Sequence, residues 1–234
     1  MNSTNTYRWL FFDADGTLFD YDMAEAKALE ATFRDFDFPF LPATAEAYRV
    51  INKQVWLDFE HGRITSAQLR TIRFERLFEA VQLHASADVF SQGYLKNLAA
   101  ASDLMDGAAE LIHQLRRRYR LAIITNGLSD VQHPRLAGSG IADCFDFVGV
   151  SEDLKAAKPD PLFFERVFAH TGSPEKETVL VIGDSLTSDI QGGLNFGLDT
   201  CWFNPSGLPA DPRFPAKFEI RHLNELPALL ESPE

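Results

Sequence analysis

The chain has 234 residues and a mass of 26.3 kDa, with 45% hydrophobic and 24% charged positions, which excludes disorder of the whole chain and allows one large core or a core with a small appendage. Lys and Arg number 22 against 34 Asp and Glu, a formal net charge of -12, and no basic stripe offsets this balance, so a surface for a nucleic-acid polymer is excluded. Cys144 and Cys201 form neither a disulfide framework nor a zinc motif, and segment 1–8 is polar, so a soluble cytoplasmic protein without signal peptide or membrane span is expected.

The first apolar run is Trp9–Phe12, read as a buried strand. It ends on Asp13-Ala14-Asp15-Gly16-Thr17. About 80 residues then pass with helical periodicity and no convincing strand. Tyr48, Ile51, Val55 and Phe59 sit at helix spacing, as do Phe74, Leu77, Phe78 and Val81, and Thr65-x-x-Gln68 is a capping box opening the latter helix. Residues 22–101 thus read as an all-helical insert, a lid over whatever the first strand presents. Further strands are expected at 121–124, 145–150, 179–182 and 200–203, alternating with helices at 107–119, 160–170 and 188–196. Alternation of this kind implies an α/β fold: a Rossmann-like parallel sheet with helices on both faces.

Open parallel sheets bind ligands beyond the carboxyl ends of their strands. There the chain places Asp13 and Asp15, then Thr125-Asn126-Gly127, then Gly183-Asp184-Ser185 with Asp189 close behind. Two carboxylates in one turn repel unless a cation or shared proton compensates. Carboxylate and carbonyl oxygens are hard ligands that suit Mg²⁺, usually completed by a substrate phosphate. Each motif also has a plainer reading: Asp and Gly are turn residues, Ser185 is a helix cap, and Lys158-Pro159 leads into a helix capped by Asp160 with Pro161 at its first position. The four in this order form a specific set.

That set resembles the four signature motifs of the haloacid dehalogenase-like superfamily in its phosphatase branch, and the helical insert resembles its C1 cap. The resemblance runs from Trp9 to about Pro205. It implies a catalytic core of residues 1–21 and 102–234 with a cap at 22–101. It further implies that Asp13 is the nucleophile and Asp15 the general acid and base. Thr125, Asn126 and Lys158 would bind phosphate; Asp13, Asp15 (through its carbonyl) and Asp184 would hold Mg²⁺, with Asp189 orienting Lys158 or a metal-bound water. Asp15 argues against dehalogenase activity, which would lack this second carboxylate. Segment 51–65 with 200–204 is similar to the pyrimidine 5'-nucleotidases of the superfamily, which implies a small-molecule substrate such as dUMP, dTMP or UMP.

Asn52, Trp56, His61 and Arg63 are the candidate base contacts, with Phe59 beside them. Trp56 and Phe59 have a second reading as cap core. Arg70, Arg73 and Arg76 recur at helix spacing, either as a solvated face or with one leaning toward phosphate. Sugar-phosphate or phosphoglycolate phosphatase and phosphomutase are the competing readings. Monomer and homodimer are both left open.

Overall fold

The computed structural model describes residues 7–231. Its elements in chain order are β1 (Trp9–Phe12), α1 (Tyr21–Asp35), α2 (Pro42–Glu60), α3 (Ser66–Ala80), α4 (Ala87–Ala99), α5 (Ala108–Leu115), β2 (Arg120–Thr125), α6 (Ser129–Gly138), β3 (Phe147–Val150), α7 (Ser151–Leu154), α8 (Pro161–Thr171), β4 (Val179–Gly183), α9 (Gln191–Phe196), β5 (Asp199–Phe203), β6 (Phe218–Ile220) and α10 (Leu226–Glu231). The six strands form one sheet in the order β3-β2-β1-β4-β5-β6. Every pairing is parallel, as strands separated by helical crossovers require. No helix among the described residues is long and apolar enough to cross a membrane.

The central strands are apolar throughout because both faces are covered. Leu10, Phe12, Leu121, Ile123, Leu180 and Ile182 point into a core shared with Ala108, Leu111, Ile112 and Leu115 of α5. Trp9, Phe11, Ala122, Ile124, Val179 and Val181 point the other way, against Phe163, Phe164, Val167 and Phe168 of α8. This period-two division leaves little freedom in register, since a slip of one residue would exchange the faces. Phe12 lies opposite Ile123 on one side and Ile182 on the other, so the chain segments leaving β1, β2 and β4 emerge side by side.

Three local expectations change. The strand expected at 145–150 starts at Phe147, because the Asp146 carboxylate turns back to accept from the Leu121 backbone N–H at 3.0 Å. The helix expected at 107–119 stops at Leu115 before the basic run Arg116-Arg117-Arg118. The segment 188–196 divides into a π-helical turn, Leu186–Ile190, followed by α9. Strand β6 has no counterpart in the sequence reading; three residues at a sheet edge carry too little periodicity to be seen.

The chain forms two compact units. The first, Met1–Asp20 with Asp103–Ser129 and Leu136–Glu234, carries the sheet. Its exit and return segments are joined where Asp20 N–H donates to Asp103 O at 3.1 Å and Met105 N–H to Leu18 O at 2.9 Å. The second unit is Tyr21–Ser102 together with Asp130–Arg135, part of α6. Asp130 joins it through a 2.7 Å ion pair with Arg70, and Arg135 through a 2.8 Å bond from Nε to Ala101 O. Helices α1 to α4 make up the rest of this unit. Its interior is aromatic, with Phe33, Phe74 and Phe78 packed around Phe90 at ring separations of 5.1 Å, a burial that holds short helices together far better than their propensity would. Both halves of the Thr65/Gln68 capping box are present at the start of α3.

Candidate active site

Strand β1 ends by handing Asp13 to the edge of the sheet, where its backbone N–H donates to Ile182 O at 2.8 Å. Lys158 enters from the loop before α8, a helix held in place by the Asp160 N-cap, whose carboxylate accepts from Leu162 N–H at 2.9 Å, and by a proline in its first turn. The Lys158 ammonium is 1% exposed and spends all three protons: on Asp13 Oδ1 at 2.6 Å, Asp189 Oδ1 at 2.6 Å and Ile124 O at 2.7 Å. A buried ammonium has three donors and here finds three acceptors, two of them anionic.

The backbone of Lys158 is held as firmly as its side chain. Asn126 Nδ2 donates to Lys158 O at 2.8 Å, and Lys158 N–H donates to Asn126 Oδ1 at 2.8 Å. The Asn126 amide is therefore occupied in positioning the lysine. Thr125 is buried at the end of β2, and its hydroxyl accepts from Gly127 N–H at 3.0 Å.

From β4 comes the other acidic pair. Ser185 caps the π-helical turn by accepting from Ser188 N–H at 3.2 Å, so the cap expected there exists, and the turn also swings Asp189 back toward the strand. Asp189 Oδ2 accepts from Ser185 N–H at 3.0 Å while Oδ1 holds Lys158. Gly183 makes room for this: a Cβ at that position would lie 2.3 Å from Asp189 Cγ. Gly16, at φ +85°, does the same for Asp184, whose Oδ2 would stand 2.8 Å from an added Cβ. Thr17 Oγ1 donates to Asp184 Oδ1 at 3.4 Å, and Trp202 Nε1 donates to Asp184 O at 2.9 Å.

Asp13, Asp184 and Asp189 each offer a carboxylate oxygen, all within 4.8 Å of one another. Asp15, half-buried one residue beyond Ala14, contributes no carboxyl oxygen to that set. Three carboxylates facing one ammonium leave surplus negative charge, with Asp13 and Asp189 buried. Burial, followed by the Asp189 charge, raises the pKa of Asp13 well above the usual carboxylate range. The same two causes push Asp184 up to about 7. Burial works against the Lys158 charge, but Asp13 and Asp189 outweigh it and hold the lysine above its ordinary value. Two carboxyls held neutral-prone beside a lysine held charged, in one cluster, form the electrostatic pattern of a functional site.

The residues expected to meet a base all lie in the helical unit, in different surroundings. Asn52 is buried, its Nδ2 donating to a Glu25 oxygen at 2.6 Å and to Tyr21 OH at 3.3 Å. Trp56 is half-buried and stands edge-on to Phe59 at 5.8 Å. His61 ends α2 and is exposed; Arg63 is exposed and held by Asp58 at 2.8 Å. The three arginines of α3 separate: Arg70 pairs with Asp130, Arg76 with Asp58 at 3.3 Å, and Arg73 is buried. The sequence carried a signal for the last: Leu69, Arg73 and Leu77 recur every four residues, which sets Arg73 in the apolar stripe.

A family model for haloacid dehalogenase-like hydrolases matches residues 7–197. The pyrimidine 5'-nucleotidase YjjG of Escherichia coli is 35% identical over 222 residues, covering 95% of this chain and 97% of that protein. The pyrimidine 5'-nucleotidase PynA of Streptococcus pneumoniae is 37% identical over 221 residues, covering 94% and 93%. The crystal structure of the HAD hydrolase YfnB from Bacillus subtilis, bound to magnesium, superposes with a TM-score of 0.91 at 39% identity, covering 96% of this chain and 98% of that one. A parallel sheet in this strand order, the acidic cluster at its carboxyl edge and these similarities converge: the chain belongs to the haloacid dehalogenase-like hydrolases.

Proposed function

We propose that the chain is a Mg²⁺-dependent phosphomonoesterase acting as a 5'-nucleotidase on pyrimidine nucleoside monophosphates such as UMP, dUMP and dTMP. The observation that carries this reading is the buried Lys158 ammonium shared by Asp13 and Asp189, with Asp184 alongside. The donor set fits a hard divalent cation, since three carboxylates crowd together and burial, followed by the Asp189 charge, holds two of them above their ordinary pKa. Asp13 and Asp184, with the main-chain carbonyl of Asp15, would hold Mg²⁺, and Asp189 would support Lys158. When bound, the ion supplies positive charge against the phosphate oxygens.

The protein's own groups account for the rest. Lys158 keeps one Asp13 oxygen oriented and supplies charge to the phosphoryl group. Asp13 attacks phosphorus, the P–O bond to the nucleoside breaks, and Asp15 delivers a proton to the departing oxygen. Asp15 then takes a proton from the water that frees phosphate from Asp13. Thr125 supports the phosphoryl oxygens, and Asn126 keeps Lys158 in place. The inserted helical unit acts as the cap that selects the leaving group. The nucleotide reading is supported by relatives that are pyrimidine 5'-nucleotidases over nearly the whole chain, and a cytoplasmic site of action by two buried, free cysteines.

Phosphate release from UMP, dUMP, dTMP, ribose 5-phosphate and phosphoglycolate, with and without EDTA, tests the proposal. Pyrimidine nucleotides should be the preferred substrates, EDTA should abolish release, and Asp13→Asn should lower it about a thousandfold or more. Turnover that survives chelation or Asp13→Asn overturns the mechanism, and preference for ribose 5-phosphate or phosphoglycolate overturns the substrate.

A further inference from the structure

Among the described residues, seven buried side-chain nitrogen or oxygen atoms lack a hydrogen-bond partner, and five of them lie on four residues of the helical unit: Tyr48 OH, Asn52 Oδ1, Arg73 Nε and Nη2, and Tyr94 OH. They belong together. Tyr48 and Asn52 are one turn apart on α2 and so share a face. The Tyr48 and Tyr94 rings lie 5.7 Å apart, and the Arg73 guanidinium sits 4.9 Å from the Tyr94 ring centre. The Glu25 carboxylate acts on the Arg73 charge and holds the Asn52 amide nitrogen at 2.6 Å. That bond also settles the amide orientation, leaving Oδ1 as the atom without a partner.

Leaving a guanidinium and three further polar atoms unsatisfied in an aromatic interior costs several kcal/mol by general experience. A fold keeps such a violation where a ligand answers it. The chemistry of that ligand follows from the unsatisfied atoms. Arg73 offers two N–H donors, Asn52 offers an acceptor, and the tyrosine hydroxyls can donate. Arg73 and Glu25 offset one another, so a neutral partner fits better than an anion. What matches is a flat group with a donor between two acceptors, flanked by aromatic rings. The imide edge of uracil or thymine, with O2, N3–H and O4, is such a group.

We infer that Tyr48, Asn52, Arg73 and Tyr94 form the base-recognition site of this protein, taking the imide edge of a uracil or thymine base. The inference rests on the nucleotidase reading and adds its specificity determinants. Cytosine lacks a hydrogen on N3 and leaves Asn52 Oδ1 unanswered, so CMP is the poorer substrate by about tenfold or more.

The test measures kcat/KM for UMP, CMP and ribose 5-phosphate in the parent protein and in Tyr48→Phe, Tyr94→Phe and Arg73→Met. Each tyrosine substitution removes a single hydroxyl and keeps the ring, so these two variants keep the test alive even if Arg73→Met fails to fold. The UMP to ribose 5-phosphate ratio should fall about tenfold in each tyrosine variant, and further in Arg73→Met. A ratio within twofold of the parent in both tyrosine variants overturns the inference. Parent protein that shows no preference for UMP over ribose 5-phosphate overturns the nucleotidase reading itself, before any variant is compared.

Discussion

Replacing Lys158 by Met removes the charge of the buried ammonium held between Asp13 and Asp189 and keeps nearly the same volume. The wild-type ammonium lies 2.6 Å from both Asp13 and Asp189, whose side chains are 9% and 0% exposed, so no solvent takes over when it goes. Breaking a buried pair in this way costs about 3–5 kcal/mol, because the partner charge stays behind without compensation. For a chain of this length 1 kcal/mol moves the melting temperature by about 2–4 °C, so a drop of roughly 6–20 °C is expected. The loss depends on pH. Without the lysine, Asp13 is still harder to ionise, and a carboxyl with a raised folded pKa stabilises the fold when protonated and loses that contribution as pH rises. Urea unfolding of parent and variant in EDTA at pH 8 and pH 5.5 measures both effects. The deficit should be largest at pH 8, shrink at pH 5.5 and shrink again on adding Mg²⁺ at pH 8. A deficit below about 1 kcal/mol at pH 8, or one equal at both pH values, would refute the charge argument.

In the parent protein, Asp184 carries a carboxyl pushed up from 3.8 to about 7 by burial and by Asp189. The folded state then binds more protons than the unfolded one between those values, so stability in EDTA should fall from about pH 4 to about pH 7 and level off above. Mg²⁺ should raise the unfolding midpoint most above pH 7, where it no longer competes with protons; a midpoint in EDTA that climbs from pH 5 to pH 7 contradicts the account. Gly183→Ala places a methyl 2.3 Å from Asp189 Cγ, which must push the carboxylate off Lys158. A loss of about 1–3 kcal/mol is expected from overpacking, with a larger fall in phosphate release than in stability, and an unchanged rate would show that Asp189 can move without loosening Lys158.

The sequence by itself determined the fold class. Uniformly apolar runs such as Trp9–Phe12 and Val179–Gly183 can be buried only in a sheet covered on both faces, and alternation with helical patterns made that sheet parallel. Local chemistry was equally readable, because a cap or a turn needs only neighbours: the Thr65/Gln68 box and the Asp160 cap formed as their spacing demands. The carboxylates at the strand ends were readable because each directly follows its strand.

Contacts between distant segments were decided by tertiary structure. The Asn126 side-chain amide closes on the Lys158 backbone from 32 residues away, a pairing its own neighbours in sequence do not indicate. Asp189 reaches the same lysine only because Gly183 lacks a side chain. Arg70, Arg73 and Arg76 look alike in sequence, and only packing makes the middle one a buried cation beside two tyrosines. Periodicity reports which face a residue occupies, whereas the partner it meets on that face depends on chain returning from elsewhere. That is why the acidic cluster could be located from its motifs, and the buried polar set of the helical unit could not.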